Sequence, residues 1–141
     1  MKLLCAAAIG LSLASSAAMA ADPAGTWLSE DGGTKVQIAN CGGKLCGTVV
    51  WLNRPTDPST GKPKTDSLNP DPGKRGRPLL GLQVVHGLMS NGPDTWSGQI
   101  YNADDGKTYQ AHVMVVSTSA MKVEGCVLTV LCKGQTWTRS N

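Results

Sequence analysis

Short β-type runs separated by turn residues make up most of the chain, and this pattern restricts it to an all-β fold. No segment shows sustained helical periodicity. The clearest run is Thr34–Asn40, where Val36 and Ile38 alternate with Lys35 and Gln37. The eight predicted strands are Gly25–Glu30, Thr34–Asn40, Cys46–Leu52, Leu80–Met89, Asp94–Asn102, Lys107–Val116, Ala120–Cys126 and Lys133–Arg139.

The connections between these runs contain residues that tolerate positive φ or preset a bend. Examples are Asp31-Gly32-Gly33, Asn91-Gly92-Pro93 and Asp105-Gly106. Strands joined mostly by short turns predict an antiparallel up-and-down meander. Closure into a small barrel would remove the exposed sheet edges that such a meander otherwise has, and a flattened sandwich is the alternative.

The N-terminal 20 residues have the pattern of a secretory signal peptide. Lys2 precedes an apolar run from Leu3 to Leu13, and Ala18-Met19-Ala20 matches the small-x-small cleavage pattern. The run is shorter than the roughly 20 residues that span a bilayer. We therefore expect cleavage after Ala20, export to the periplasm, and a mature chain from residue 21 to residue 141 that is one domain without a transmembrane segment.

Four cysteines remain in the predicted mature chain, and an even number in an exported protein indicates disulfides. They allow three pairings. We expect Cys41 to pair with Cys46 and Cys126 with Cys132, because each pair flanks a short segment that resembles a turn.

One connection, residues 53–78, is long and rich in proline, with six of the eight prolines of the chain. Loops of this length are usually functional or disordered. The loop also has six basic and three acidic residues, and so contains the whole basic excess of the predicted mature chain. The candidate anion-binding residues in it are Arg75, Arg77, Lys62 and Lys64, the arginines because a guanidinium binds carboxylate or phosphate through two hydrogen bonds. Asp66 and Asp71 are expected to pair with these cations or to cap turns.

Three segments together resemble a known family. They are the opening Gly25-Thr26-Trp27-Leu28, the loop from Thr60 to Leu82 with its Asn69-Pro70-Asp71 and Arg77-Pro78-Leu79-Leu80-Gly81-Leu82 stretches, and the ending Gln135-Thr136-Trp137-Thr138-Arg139. This set is similar to the exported bacterial proteins called domain of unknown function 2147. The family name implies no established activity, and local cysteine pairs fit the resemblance.

A wider resemblance is to lipocalins and fatty-acid-binding barrels. Those folds often begin their first strand with Gly-x-Trp and have an arginine near the end of the last strand, which packs over the tryptophan. The matching residues here are Gly25, Trp27 and Arg139. The long loop does not match, because it follows the third strand rather than the first.

Catalytic and metal-binding patterns are weak. The two histidines, His86 and His112, fall in different strands without a nearby nucleophile or carboxylate pattern. We predict no cofactor, no metal and no nucleic-acid partner, and the sequence favours a protein that is not an enzyme.

Tryptophan supplies most of the aromatic bulk, since the chain has no phenylalanine. Trp27 and Trp137 are expected in the core or at a barrel end. Trp51 and Trp96 are the better candidates for lining a cavity, although core packing would also account for them.

The leading functional hypothesis is a barrel that binds a small apolar or anionic ligand in its interior or at its mouth. The alternative is a solid scaffold that docks on an anionic component of the cell envelope through the basic loop. An enzyme is the third possibility, and a hollow interior distinguishes the first hypothesis from the second.

Overall fold

The computed structural model describes residues 9–12, 22–128 and 131–141. Most of the predicted signal peptide, including its cleavage site, lies outside these residues. No helix of the described residues is long and apolar enough to cross a membrane.

Eight antiparallel strands form one closed barrel in which every strand pairs with its neighbours in sequence and β1 pairs with β8. The predicted all-β class and the meander that closes into a barrel are confirmed. The strands are β1 Gly25–Leu28, β2 Thr34–Asn40, β3 Leu45–Leu52, β4 Gln83–Gly92, β5 Thr95–Asn102, β6 Lys107–Val115, β7 Ala120–Val127 and β8 Leu131–Ser140.

The predicted fourth strand starts three residues too early. Residues 80–82 belong to a turn: the Leu82 amide donates to the Leu79 carbonyl at 3.0 Å, and the Gly81 amide donates to the Val49 carbonyl at 2.8 Å. The apolar run Leu79–Leu82 is therefore explained by its packing at the barrel rather than by strand pairing, since Leu82 is buried and Leu79 is packed against the core.

Both predicted disulfides are present. Cys41–Cys46 closes the turn between β2 and β3, and Cys126–Cys132 joins β7 to β8 at directly paired positions. Each bond therefore joins the two strands of one hairpin and does not link distant parts of the chain.

One end of the barrel is filled by large side chains. Those of Trp27, Ile38, Leu88, Val113 and Met121 are all buried in one apolar cluster. Because turns alternate between the two ends of an up-and-down barrel, this end also has the start of β1, the end of β8 and the turn between β6 and β7. We call it the closed end.

Arg139 seals the closed end over Trp27, its partner across the β1–β8 pairing. The guanidinium carbon lies 4.3 Å from the Trp27 ring centroid. Its nitrogens donate to the carbonyls of Thr118 at 2.6 Å, Ala24 at 2.8 Å and Asp22 at 3.1 Å. One side chain thus covers the indole and joins β8, the β6–β7 turn and the segment before β1.

The glycine of the Gly-x-Trp opening has a steric role here. Gly25 has a φ of 125°, and a Cβ at this position would lie 2.5 Å from Nη1 of Arg139. Only glycine allows both this backbone conformation and the close approach of the guanidinium.

We expect Arg139→Ala to lower the free energy of unfolding by about 1–3 kcal/mol, because it removes the cation over the ring and the hydrogen bonds to three carbonyls. Arg139→Lys should restore only part of this, since an ammonium cannot reach the three carbonyls in the fixed geometry of a guanidinium. Urea unfolding followed by tryptophan fluorescence measures both variants. Equal stability of Arg139→Ala and the parent protein would contradict this role.

Candidate ligand-binding cavity

The opposite half of the barrel is hollow. A cavity of about 700 Å³ opens at the end that has the β1–β2, β3–β4, β5–β6 and β7–β8 connections. We call this the open end. The apolar lining consists of Val36, Val49, Leu52, Leu79, Leu82, Val84, Ile100, Ala103, Val123 and Trp137.

Small residues form part of the inner wall of the cavity. Val36, Val49, Val84 and Val123 line it beside larger residues such as Leu82 and Trp137, and β7 contributes Gly125, which has no side chain. A Cβ on Gly125 would meet Tyr109 Cβ at 3.4 Å and Ile100 Cγ2 at 3.7 Å, so this position faces the interior.

Strand β8 supplies a polar stripe on the inner wall. Lys133, Gln135 and Trp137 alternate along the strand, and all three line the cavity. The Trp137 indole N–H donates to Oε1 of Gln135 at 3.1 Å. Lys133 pairs across the sheet with Gly125 and forms no ion pair with any described residue. Lys133 therefore contributes a positive charge to the lining without an acidic partner among the described residues.

Three acidic residues lie at the rim, and two of them, Asp31 and Asp105, are hydrogen-bonded within their own turns, whereas the Asp104 carboxylate accepts no hydrogen bond from a described residue. Asp31 Oδ1 accepts from the Ser29 hydroxyl at 2.7 Å and from the Gly33 amide at 2.8 Å, and these bonds lower the pKa of its carboxyl. Asp105 accepts from the Lys107 amide at 2.9 Å and from the Tyr109 hydroxyl. Hydrogen bonding to Asp105 in turn raises the pKa of Tyr109.

The basic residues at the rim are not paired with carboxylates of the described chain. Arg54 and Lys64 line the mouth, and neither forms an ion pair within residues 22–128 or 131–141. The rim therefore has two cationic groups without ion-pair partners among the described residues, while Asp31 and Asp105 use carboxylate oxygens internally and Asp104 is the acidic rim residue that does not.

The connection between β3 and β4 is an ordered structure. It contains bridges between Thr56 and Pro63 and between Thr65 and Pro78, and a short 3-10 helix at Pro72–Lys74. Asp71 caps that helix by accepting from the Gly73 amide at 3.0 Å.

A buried carboxylate attaches this loop to the barrel wall. Asp66 is 0% exposed, and its Oδ1 accepts from the Tyr101 hydroxyl of β5 at 2.5 Å. Oδ2 accepts from Asn69 Nδ2 at 2.8 Å and from Arg77 Nε at 3.1 Å, and Arg77 Nη2 lies 3.0 Å away. Both carboxylate oxygens are thus bound, as burial requires.

The hydrogen bonds that anchor the loop also set the direction in which the pKa of the Asp66 carboxyl is shifted. Burial opposes the charged form of Asp66, but the hydrogen bonds from Tyr101, Asn69 and Arg77 outweigh it and lower the pKa of the carboxyl. Burial and the bond to Asp66 raise the pKa of Tyr101, so its hydroxyl keeps its proton and acts as a donor.

A second contact places the loop directly on the β5–β6 turn. Gly106 has a φ of 71°, and a Cβ there would overlap the carbonyl of Leu68. The backbones approach so closely that only glycine fits, which makes the turn a docking point for the loop.

The arginines predicted to bind anions are used within the loop. Arg77 is bound to Asp66, and Arg75 Nε donates to the Asn69 carbonyl at 2.8 Å. Lys62 is exposed and does not line the interior cavity described above, whereas Lys64 lines its mouth. Of these four candidates, the structure brings only Lys64 to the interior cavity.

Neither Trp51 nor Trp96 lines the interior cavity among the described residues. Trp51 is 40% exposed, and Lys35 Nζ lies 5.2 Å from its ring centroid on the surface. Trp96 packs against the apolar core. The tryptophan of the cavity is instead Trp137, which faces inward on β8 as the alternate residues Lys133 and Gln135 do.

Lys133 and Gly125 were not among the sequence-predicted site residues. The alternation Lys133, Gln135, Trp137 was the available signal, since a tryptophan expected in the core fixes which residues of β8 face inward. The Asp66–Tyr101 bond joins residues 35 positions apart, and no local pattern indicates it.

Glu124, Cys126 and Cys132 bring possible metal-ligating atoms within 4.8 Å of one another. The two sulfurs are joined in a disulfide and are therefore not available as thiolates. This cluster is a structural crosslink beside a surface carboxylate.

Residues 25–139 match the family described as an uncharacterized protein conserved in bacteria, DUF2147. The chain belongs to this family. The resemblance found in its opening, loop and ending is thereby confirmed, and the DUF2147 match covers the complete barrel and its long loop. A comparison with curated proteins gives no match.

Among solved structures, this DUF2147 protein is similar to protein HP1028 from the human pathogen Helicobacter pylori, which is described as belonging to the lipocalin family. The TM-score is 0.72 with 24% sequence identity, and the match covers 85% of this chain and 84% of that chain. The likeness confirms a lipocalin-like fold.

We expect Asp66→Asn to destabilise the loop, because it leaves Arg77 without its counter-charge and disturbs the bond to Tyr101. The loss should be about 1–3 kcal/mol, less than for a fully buried pair since Arg77 is partly exposed. Amide hydrogen exchange over residues 53–82 measures it. The control Asp57→Asn changes a half-buried loop carboxylate that is bonded only to its neighbour Ser59 and not to the barrel wall, and equal exchange in the two variants would contradict the anchor.

The anchor also predicts a pH dependence. Because the folded-state pKa of Asp66 is lowered from 3.8, its stabilisation is complete above about pH 4 and is lost as the pH falls below 3.8 through the lowered value. Thermal unfolding from pH 6 to pH 2 should show this acid-sensitive component in the parent protein and less of it in Asp66→Asn. Identical pH profiles would argue against it.

Proposed function

We propose that this protein binds a small molecule with an apolar body and an anionic end, and holds it inside the open half of the barrel. The observation that supports this most strongly is the cavity of about 700 Å³, which is lined by apolar side chains and by polar ones, within a barrel whose other half is filled. Barrels of eight strands have room for one small ligand when side chains do not fill them.

The anionic end is inferred from the charges that the cavity presents. Lys133 stands on the inner wall, and Arg54 and Lys64 stand at the mouth, without ion-pair partners among the described residues. An ammonium beside an apolar wall is stabilised by a carboxylate or phosphate that neutralises it. A ligand with its chain among the valines and its head near Lys133 satisfies both parts of the lining.

We propose the periplasm as the compartment in which this binding takes place. The signal-peptide pattern of residues 1–20 and the two disulfides support an exported protein. The docking alternative has less support, because Asp66 neutralises the charge of Arg77 and the Asn69 carbonyl holds Nε of Arg75 within the loop.

Filling the cavity should abolish binding. Gly125→Leu puts a side chain into the interior, whereas Gly134→Leu puts the same side chain on the outer face beside Lys122 and Glu124. We expect cis-parinaric acid, a fluorescent fatty acid, to bind the parent protein and Gly134→Leu with equal affinity. Gly125→Leu should bind it at least about tenfold more weakly, since the added side chain occupies the space of the ligand.

Circular dichroism of both variants establishes that the barrel is intact. Binding to Gly125→Leu at parent affinity would place the probe outside the cavity and overturn the proposal. Native mass spectrometry of protein purified from the periplasm identifies a retained molecule by its mass.

The role of Lys133 is tested by changing the head of the probe. Lys133→Gln should weaken binding of cis-parinaric acid by about tenfold, the loss expected for one charge-assisted hydrogen bond, and should leave binding of its methyl ester unchanged. Lys62→Gln removes the same charge away from the cavity and is the control. An equal effect of Lys133→Gln on acid and ester would refute the assignment of the anionic head.

A further inference from the structure

A second recess lies outside the barrel, between the long loop and the outer wall. Its volume is about 460 Å³. On the barrel side it is lined by Gln83 and Thr108, whose sequence neighbours Val84 and Tyr109 line the interior cavity, and by Leu82 and Tyr101, which border both spaces. Since neighbouring strand residues face opposite sides of a sheet, the side chains of Gln83 and Thr108 face outward. We call this recess the outer groove.

The loop side of the outer groove contains charged residues. Lys74 and Arg77 line it together with Asp71, and His86 of β4 lies on the opposite wall. Asp71 uses Oδ1 to cap the short helix. The Lys74 ammonium, by contrast, forms no ion pair within the described parts of the chain.

The buried anchor orients Arg77 toward this groove. Nε and Nη2 both meet Oδ2 of Asp66, so one edge of the guanidinium is fixed against a carboxylate that is 0% exposed. Nη1, at the other edge, has no hydrogen bond to a described residue, and the side chain is 39% exposed. The pairing with Asp66 neutralises the charge of Arg77 but presents its remaining N–H groups in a defined direction.

Cationic side chains outnumber carboxylates in the groove. Lys74 and Arg77 line it, His86, Gln83 and Thr108 add N–H or O–H groups, and among the described residues that line it Asp71 is the one carboxylate. A surface rich in donors with a free ammonium is suited to an oxygen-rich anion.

We propose that the outer groove is a second binding site, separate from the barrel interior, for a small molecule that carries a phosphate or carboxylate group. Lys74 supplies the charge, and Arg77 and His86 donate to the anionic oxygens from opposite walls. The site depends on the folded loop, because Asp66 positions Arg77, and it does not depend on a ligand in the interior cavity.

The two histidines make the test direct, since His86 lies in the groove and His112 is an exposed residue of β6 that does not line it. The imidazole signals of the full protein are followed by heteronuclear NMR during titration with inorganic phosphate, with acetate, and with sodium chloride at equal ionic strength. We expect His86 to shift to saturation with phosphate or acetate, and His112 to stay unchanged. The anion that saturates the His86 shift at the lower concentration, phosphate or acetate, is the one that the groove prefers.

Lys74→Gln should raise the dissociation constant about tenfold or more, and Lys62→Gln, an exposed loop lysine outside the groove, should leave it unchanged. Neither substitution touches the Asp66 anchor, so both variants keep the loop folded. The proposal is overturned if sodium chloride alone reproduces the shifts, if both histidines respond alike, or if Lys74→Gln binds as the parent does. Binding of cis-parinaric acid reports the interior cavity separately, so failure of one site is distinguishable from failure of the other.

Discussion

The volume enclosed by eight strands is the constraint on which the rest of this structure depends. Such a barrel is just wide enough for side chains to fill it, so the size of each inward residue decides whether a given level is solid or hollow. Trp27, Met121 and Leu88 make one half solid, and Arg139 covers that half. Valines and Gly125 leave the other half open. The closed end of the barrel therefore supplies packing that stabilises the fold, and the open end supplies the space in which a ligand can bind.

Much of the fold could be predicted because its signals are local. Alternation in Thr34–Asn40 and turn residues such as Asp105-Gly106 locate strands and connections, and eight strands joined in series by seven connections leave few topologies. The error at residues 80–82 has a physical cause. A short apolar run is compatible with a strand or with a turn that packs on the core, and the local bond from the Leu82 amide to the Leu79 carbonyl identifies the turn.

The candidate sites were harder to predict because they depend on long-range contacts. The basic composition of the loop suggested anion binding by Arg75 and Arg77, but composition does not show that Asp66 and Asn69 bind these guanidiniums from within the loop. Lys133 is an ordinary surface lysine until closure of the barrel turns its face of β8 inward. Which charges are free and which are paired follows from the three-dimensional arrangement alone.

The Asp66–Tyr101 bond also sets an order for folding. The loop precedes β5 in the chain, so its anchor cannot form before Tyr101 is in place. Closure between β1 and β8 joins Trp27 to Arg139 across nearly the whole domain and is the contact of highest sequence separation between strands. The loop therefore gains its attachment to the barrel only once the β4–β5 hairpin has formed. Its six prolines between residues 53 and 78 reduce the number of conformations it samples before that attachment forms.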